Sequence, residues 1–447
     1  MNRLYAGFAR ANVTPMMGIG LSGYFVPRYA DGVLDELEVN VLALSDGENK
    51  VLLINVDNEG IRMTVLDEFR KRIEEVTGVP YEAIFVGATH THTGPFTRDD
   101  TDQELAAEYT RFLEYRMVDV SVAALADLKP AKAGFGIGQA PNIAFVRRFR
   151  MKDGSIRTNP GVDNPDIVEP IGDVDERVNV VRFDREGAES IALVNFGNHP
   201  DVVGGCKISA DWPGMLRRQV EKSIDDVKCI FFNGAQGDVN HVNVHPRGGY
   251  LNDMFMDFDD VARGYKHALY IARVVTGGVL QAFDKVEYFD VESIAAIQKT
   301  INVPSNMPKA EDMPLAYHYE ELHQAGRDEE IPFKGMMLTT VVAEAERMIR
   351  LEHGPEVFPM YISGVRIGKV ALFGMPGEPF TGIGRAIKQA NGYSLVLPCC
   401  LTNGNEGYFP MKEAYDEGGY EARSSNFKAG VAELIIEEGL KLLGELR

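Results

Sequence analysis

Short unbroken apolar runs alternate along the chain with longer segments whose apolar residues recur at helical spacing. Residues 51–56, 83–88 and 229–232 are continuous apolar runs of the length expected for buried strands. Residues 63–76 carry helical periodicity, which Gly78 stops. A long helix is predicted over 103–127, ending before Pro130. Residues 178–183 and 191–196 read as paired strands joined by the turn Asp184-Arg185-Glu186-Gly187. Asp211 is the expected N-cap of a helix with Pro213 in its first turn. Helical patterns return at 261–283 and between Pro314 and His353, strands at 360–367 and 370–373, and a closing helix at 426–443. Residues 240–260 follow neither period. Rich in His, Gly, Asp and Asn, they read as a loop insertion of functional length. This mixture predicts one α/β layered domain over 1–447, with central β-sheets flanked by helices. The pattern leaves parallel, antiparallel and mixed sheets open, and it shows no internal repeat.

Of the 447 residues, 45% are apolar and 25% charged, which excludes a disordered or fibrous chain. No apolar run is long enough to cross a bilayer, so no transmembrane segment is expected. The opening Met1-Asn2-Arg3-Leu4-Tyr5-Ala6-Gly7 lacks the apolar core of an export signal, and a cytoplasmic location is expected. A net charge of -20 repels phosphate backbones and anionic membranes, so no nucleic-acid partner is expected. Cys206, Cys229 and the adjacent Cys399 and Cys400 form no C-x-x-C clip and read as reduced thiols. Arg147, Arg148 and Arg150 cluster in this acidic chain, either as a solvated face or as a clamp for an anionic substrate. Monomer and homo-oligomer both remain open.

The chemistry concentrates where apolar strands stop. Thr89-His90-Thr91-His92-Thr93-Gly94-Pro95 follows one strand, and His90 and His92 share a face if that strand continues. Asn198-His199-Pro200 follows a second strand, and Gly374-Met375-Pro376-Gly377-Glu378-Pro379-Phe380 delivers a carboxylate after a third. Two imidazoles and one carboxylate form a common hydrolytic zinc set, with a position left for water. The glycines of Asn233-Gly234-Ala235-Gln236-Gly237-Asp238 allow close approach of a ligand, and Asp238 could orient a ligating histidine. Each element alone also fits ordinary hydrogen-bonded histidines or a plain turn. His318, His323 and His353 lie on polar helical stretches and read as surface residues. His241 and His245 read as exposed loop residues, and His267 as a helix residue of core or surface.

In order, the blocks are A-T-H-T-H-x-G-P, N-F-x-x-H-P, D-W-P-G, G-A-Q-G-D-V and M-P-G-E-P-F. Gly407-Tyr408-Phe409-Pro410 and Gly419-Tyr420-Glu421 come after them. Together with the opening Gly7-Phe8-Ala9-Arg10-Ala11-Asn12-Val13-Thr14-Pro15, this series resembles the neutral/alkaline (non-lysosomal) ceramidase family over about residues 5–430. The resemblance implies a zinc hydrolase whose Zn2+ is held by His90, His199, Glu378 and Tyr408. It places His92 beside the metal-bound water and the substrate carbonyl, and Tyr420 in the pocket. Asn240 stands where the family carries a serine after G-D-V, so no acyl-enzyme is expected there, although its amide could donate to an oxyanion. Neither the export signal nor the C-terminal β-sandwich of secreted ceramidases is expected here. The expected reaction is attack by a zinc-activated water on an amide or related bond, with His92 in acid/base work. A small soluble or N-acylated substrate is expected. Ceramide itself, a glycosidic bond, and a non-catalytic metal-containing binding protein are the alternatives.

Overall fold

A computed structural model describes residues 4–97, 104–247 and 254–447. Its organising feature is one supersecondary unit used three times. In each unit, three antiparallel strands are followed by a helix, a fourth strand parallel to the third, and a helix that packs back on the first two strands. Unit one comprises β1 (Tyr5–Asn12), β2 (Glu38–Ser45), β3 (Lys50–Val56), α1 (Met63–Thr77), β4 (Ile84–Ala88) and α2 (Glu104–Ala126). Unit two comprises β5 (Lys129–Gln139), β6 (Arg177–Arg185), β7 (Ser190–Phe196), α3 (Asp211–Ser223), β8 (Val227–Asn233) and α4 (Tyr265–Phe283). Unit three contains β9 (Ile294–Pro304), β10 (Val357–Ile367), β11 (Val370–Gly374), α7 (Thr381–Ile387), β12 (Leu395–Cys399) and α8 (Val431–Glu445). Helices α5 (Met313–Gln324) and α6 (Gly335–Leu351) are inserted between β9 and β10.

The same local physics recurs in each unit. The turn between second and third strands carries a glycine at positive φ: Gly47 at 91°, Gly187 at 69° and Gly368 at 55°. The first strand of units one and two carries a glycine that lets the closing helix touch the sheet. A Cβ on Gly7 would lie 2.1 Å from the Ala124 carbonyl oxygen, and one on Gly138 would lie 1.9 Å from that of Gly278. Third and fourth strands are apolar on both faces, as parallel strands covered on both sides must be.

Units one and two join through β1 and β5 into a nine-stranded sheet, in which Glu287–Phe289 is the added strand. Unit three forms a separate four-stranded sheet, β9-β10-β11-β12. The two sheets share one hydrophobic core, with β12 against β7 and β8. The expected layered α/β fold is therefore present, with mixed sheets. The repeat, absent from the sequence reading, is hidden because each unit carries a different insert between its first and second strands: 13–37, 140–176 and 305–356.

First, third and fourth strands of a unit run in one direction, so the segments that follow them open on the same edge. The ends of the three fourth strands meet. Cys400 N donates to Asn233 O at 3.0 Å, Ala88 N to Leu401 O at 3.2 Å, and Asn233 Nδ2 to Thr89 O at 3.4 Å.

Three sequence expectations change. Helix α4 begins at Tyr265, because Ala262–Arg263 pairs with Phe255–Met256. The closing helix starts at Val431. Asp211 is the first residue of α3 rather than its N-cap, at φ 52°. Its Oδ2 accepts from Val202 N and Val203 N at 2.9 and 2.8 Å, clamping the loop that carries His199. Gln103 and residues 248–253 of the 240–260 insertion lie outside the described residues.

Candidate metal centre and active site

His90 leaves the end of β4 with φ 75°, a strained conformation for a residue with a Cβ. The strand does not continue through the T-H-T-H block. This tight turn, rather than strand alternation, aims both of its imidazoles inward. His90 Nε2 lies 3.1 Å from His199 Nε2, 3.2 Å from His92 Nε2 and 3.3 Å from Glu378 Oε2. His199 Nε2 is 3.6 Å from Glu378 Oε2. All four residues are buried.

Ligand atoms about 2.0–2.1 Å from a tetrahedral ion are about 3.3–3.4 Å apart, so the His90, His199 and Glu378 triangle has the size of one face of such a shell. The outward nitrogens agree. His90 Nδ1 faces Glu59 O at 2.5 Å, His199 Nδ1 faces Gln236 O at 3.5 Å, and His92 Nδ1 faces Asp201 Oδ1 at 3.5 Å. An acceptor at Nδ1 keeps its proton there and turns a bare Nε2 lone pair inward, the arrangement of ligating histidines. The ligand atoms of the three histidines all lie within 4.8 Å of one another.

The electrostatics call for a positive charge at the centre of this group. Burial opposes protonation of His90, but the Glu378 carboxylate beside it raises its pKa to about 9. Burial holds His92 and His199 well below the usual histidine range, with Arg147 and then His90 adding to the effect on His199. Without a cation, one proton on His90 takes the place of the positive charge. The donor set, its spacing and its burial fit a divalent cation.

Tyr408 reaches the same place through pairing. Glu378–Pro379 and Tyr408–Phe409 form a short parallel ladder with Glu378 opposite Tyr408, so both side chains share a face. Burial raises the Tyr408 phenol well above its usual value, and Arg147 pulls against it from 5.2 Å above the ring. Tyr420 packs edge-on to Tyr408 with centroids 5.5 Å apart. Arg147 is itself held by Glu421, Nε to Oε1 2.7 Å, and by Gly237 O at 2.6 Å.

The other expected residues fall differently. The Asp238 carboxylate bonds Thr381 N at 2.7 Å and Thr381 Oγ1 at 3.0 Å, which fixes the start of α7. The main chain of Gln236, two residues earlier, is what faces a histidine. The Asn240 amide donates to Asn159 Oδ1 at 3.1 Å, so it is already engaged. Arg147 and Arg148 are buried and paired with Glu421 and Glu417, which leaves only Arg150 partly exposed. His241 is buried, with Nε2 2.7 Å from Ala262 O, because the insertion folds back over it. His323 is only partly exposed and lines the cleft.

The cleft above the histidines has a volume of about 880 Å3. Its walls combine the inserts of units one and three, including Tyr24 and Phe25 from 13–37 and Glu320, His323, Glu346 and Arg350 from 305–356, with Glu59 and Arg62 after β3 and Asn405 and Glu406 after β12. A recess lined by Arg147 and Asn159, from the insert of unit two, opens beside His92, His199 and Tyr408.

A crystal structure of neutral ceramidase from Pseudomonas aeruginosa superposes with a TM-score of 0.73 at 16% identity, covering 99% of this chain and 74% of that one. A ceramidase complexed with C2 gives the same score and identity, covering 100% of this chain and 76% of that one. The fold is that of the neutral ceramidases. No protein-family model matches the chain, and no curated relative does. In ceramidase-fold terms, the blocks noticed in the sequence are the segments that follow β4, β7, β8 and β11, together with the start of α3. Sequence reasoning missed Glu59, Gln236, Asp201 and Asn159. The first two act through main-chain carbonyls, which leave no signature in residue type. Among the described residues, no helix is long and apolar enough to cross a membrane.

Proposed function

We propose that the protein is a zinc-dependent hydrolase of the neutral ceramidase type that cleaves an amide or related acyl bond in a hydrophilic, N-acylated small molecule. The observation that carries this reading is the buried triangle of His90, His199 and Glu378, one residue from each unit, at the head of an open cleft. Zinc is the metal suited to such an imidazole and carboxylate set, with Tyr408 as the further ligand. A divalent cation held there supplies Lewis acidity, acidifying a water and polarising a carbonyl oxygen.

The chain's own groups supply the rest. His92, neutral and with Nε2 facing the site, takes the proton of the attacking water and returns it to the leaving nitrogen. Asp201, kept ionised against burial by Arg263 at 2.6 Å, lies 3.5 Å from His92 Nδ1, where its charge steadies the imidazolium formed in between. Arg147 offsets the negative charge of a Tyr408 phenolate. Asn240 has no hydroxyl, so water attacks the acyl carbon directly. The preference for a hydrophilic substrate rests on Glu59, Arg62, Glu320, Glu346 and Arg350 in the cleft wall. Free Cys229, Cys399 and Cys400 support a reducing, cytoplasmic setting.

Zinc analysis of protein purified without chelator, followed by a hydrolysis panel of N-acetyl amino sugars, N-acyl amino acids and N-acylsphingosine, tests the reading. About one zinc per chain and turnover of a hydrophilic member are expected. Cleavage of N-acylsphingosine alone would overturn the substrate class. Full zinc with no turnover would overturn the hydrolase.

A further inference from the structure

Asn240 cannot itself reach a substrate with its amide, because both ends of that amide are engaged. Val242 N–H donates to Asn240 Oδ1 at 3.0 Å. A main-chain N–H can meet only the oxygen of the amide, so Nδ2 must face the other way, where it donates to Asn159 Oδ1 at 3.1 Å. This fixes Asn159 in turn. With its oxygen taken, Asn159 Nδ2 is directed away from Asn240 and has no hydrogen-bond partner among the described residues.

The Asn159 backbone is equally constrained. Its N–H donates to Arg147 O at 2.8 Å, and its φ of 45° lies in the left-handed region that asparagine tolerates better than most residues. The neighbouring Thr158 is tied to Glu421 at 2.9 Å. Asn159 therefore stands rigidly in the wall of the recess that also holds His92, His199, Tyr408 and Tyr420. A free amide N–H2 held in such a wall is complementary to an acceptor, namely an acyl oxygen or the oxyanion it becomes.

We infer that Asn159 is a substrate-binding residue that donates through Nδ2 to the acyl oxygen. Asn240 is its positioning residue, selecting which end of the Asn159 amide faces the substrate. The inference rests on the metal-hydrolase reading above. It gives the asparagine at the family's serine position a task other than nucleophilic attack.

Acetohydroxamate, an acyl-oxygen mimic that chelates zinc, is titrated by calorimetry into zinc-loaded protein, with the zinc content of every sample measured alongside. Asn159→Ala keeps about one zinc per chain and weakens acetohydroxamate by about 10- to 100-fold, the size of a hydrogen bond to a charged acceptor. Asn240→Asp is the sharper variant. One carboxylate oxygen still accepts from Val242 N–H, and the other accepts from Asn159, which turns the Asn159 oxygen into the recess. Its loss therefore equals that of Asn159→Ala, and the double variant is no worse than either single one. A purely structural role for Asn240 would give additive losses instead. Unchanged affinity in Asn159→Ala with full zinc overturns this inference alone, and so does additivity. Absence of zinc from the wild-type protein overturns the metal reading on which it rests.

Discussion

Units one and two place an imidazole in the same small volume with their parts exchanged. In unit one the histidine follows the fourth strand, and the carbonyl that holds it, Glu59 O, belongs to the segment after the third. In unit two the histidine, His199, follows the third strand, and the carbonyl, Gln236 O, belongs to the segment after the fourth. Two adjacent parallel strand ends thus define a place where an imidazole can be oriented, and either strand can supply it. The holding is not equally tight. His90 is gripped at 2.5 Å from a backbone at φ 75°, whereas His199 sits 3.5 Å from its carbonyl with its loop clamped by Asp211. Unit one uses a strained residue where unit two uses a buried carboxylate.

If the exchange is equivalent, His90→Ala and His199→Ala lose metal alike. Zinc content in each falls from about one equivalent to under about a tenth. Metal retained in one variant alone would show that the two units are not equivalent at the site. Next in size is the helix–sheet contact that both units share. Gly7→Ala and Gly138→Ala each drive a Cβ into a main-chain carbonyl, and each is expected to cost about 3 kcal/mol in chemical denaturation. Unequal costs would separate the two halves.

The proton inventory distinguishes the imidazole from the phenol. Metal-free His90 has a pKa raised from 6.5 to about 9, so it carries a proton that a cation displaces. In calorimetry across buffers of different ionisation enthalpy, zinc binding at pH 7.5 releases that proton, and this component vanishes as pH rises through about 9. Tyr408, whose phenol burial holds protonated, gives up a second proton if it binds as phenolate, and Tyr408→Phe removes that second release. The same shift gives metal-free protein a stability contribution that is full below pH 6.5 and lost as pH rises through about 9. The smallest effect is Gly277→Ala in α4. No atom lies within 4 Å of the new methyl group, so a gain of about 0.5–1 kcal/mol is expected. At Gly278 the same change meets Val178 at 2.6 Å and destabilises.

His90, His92, His199 and Glu378 were legible because a polar residue following a buried strand is conspicuous against its apolar background. Tyr408 was accessible only through resemblance. Its reason for being there is a two-residue ladder opposite Glu378, too short to leave a periodic signal. Seven of the twelve strands were legible one by one, whereas β1, β2, β5, β9 and β12 were not read, and neither was the threefold order. The recurring parts are short apolar runs and a turn glycine, separated by inserts of unlike length and composition. Those inserts form part of the cleft wall, so segments that hide the repeat also help to shape the candidate site. The Arg147 and Arg148 cluster misled in both directions, because charge on the page carries no sign of Glu421 and Glu417 waiting elsewhere in the chain.

The central claim is that three units deliver one donor each to a single cation. Anomalous-difference crystallography across the zinc absorption edge of as-purified protein tests it most directly. The account expects one strong peak bounded by Nε2 of His90, Nε2 of His199 and an Oε of Glu378. An ordered triangle with no anomalous peak, or a peak that leaves one of these three residues uncoordinated, would contradict it.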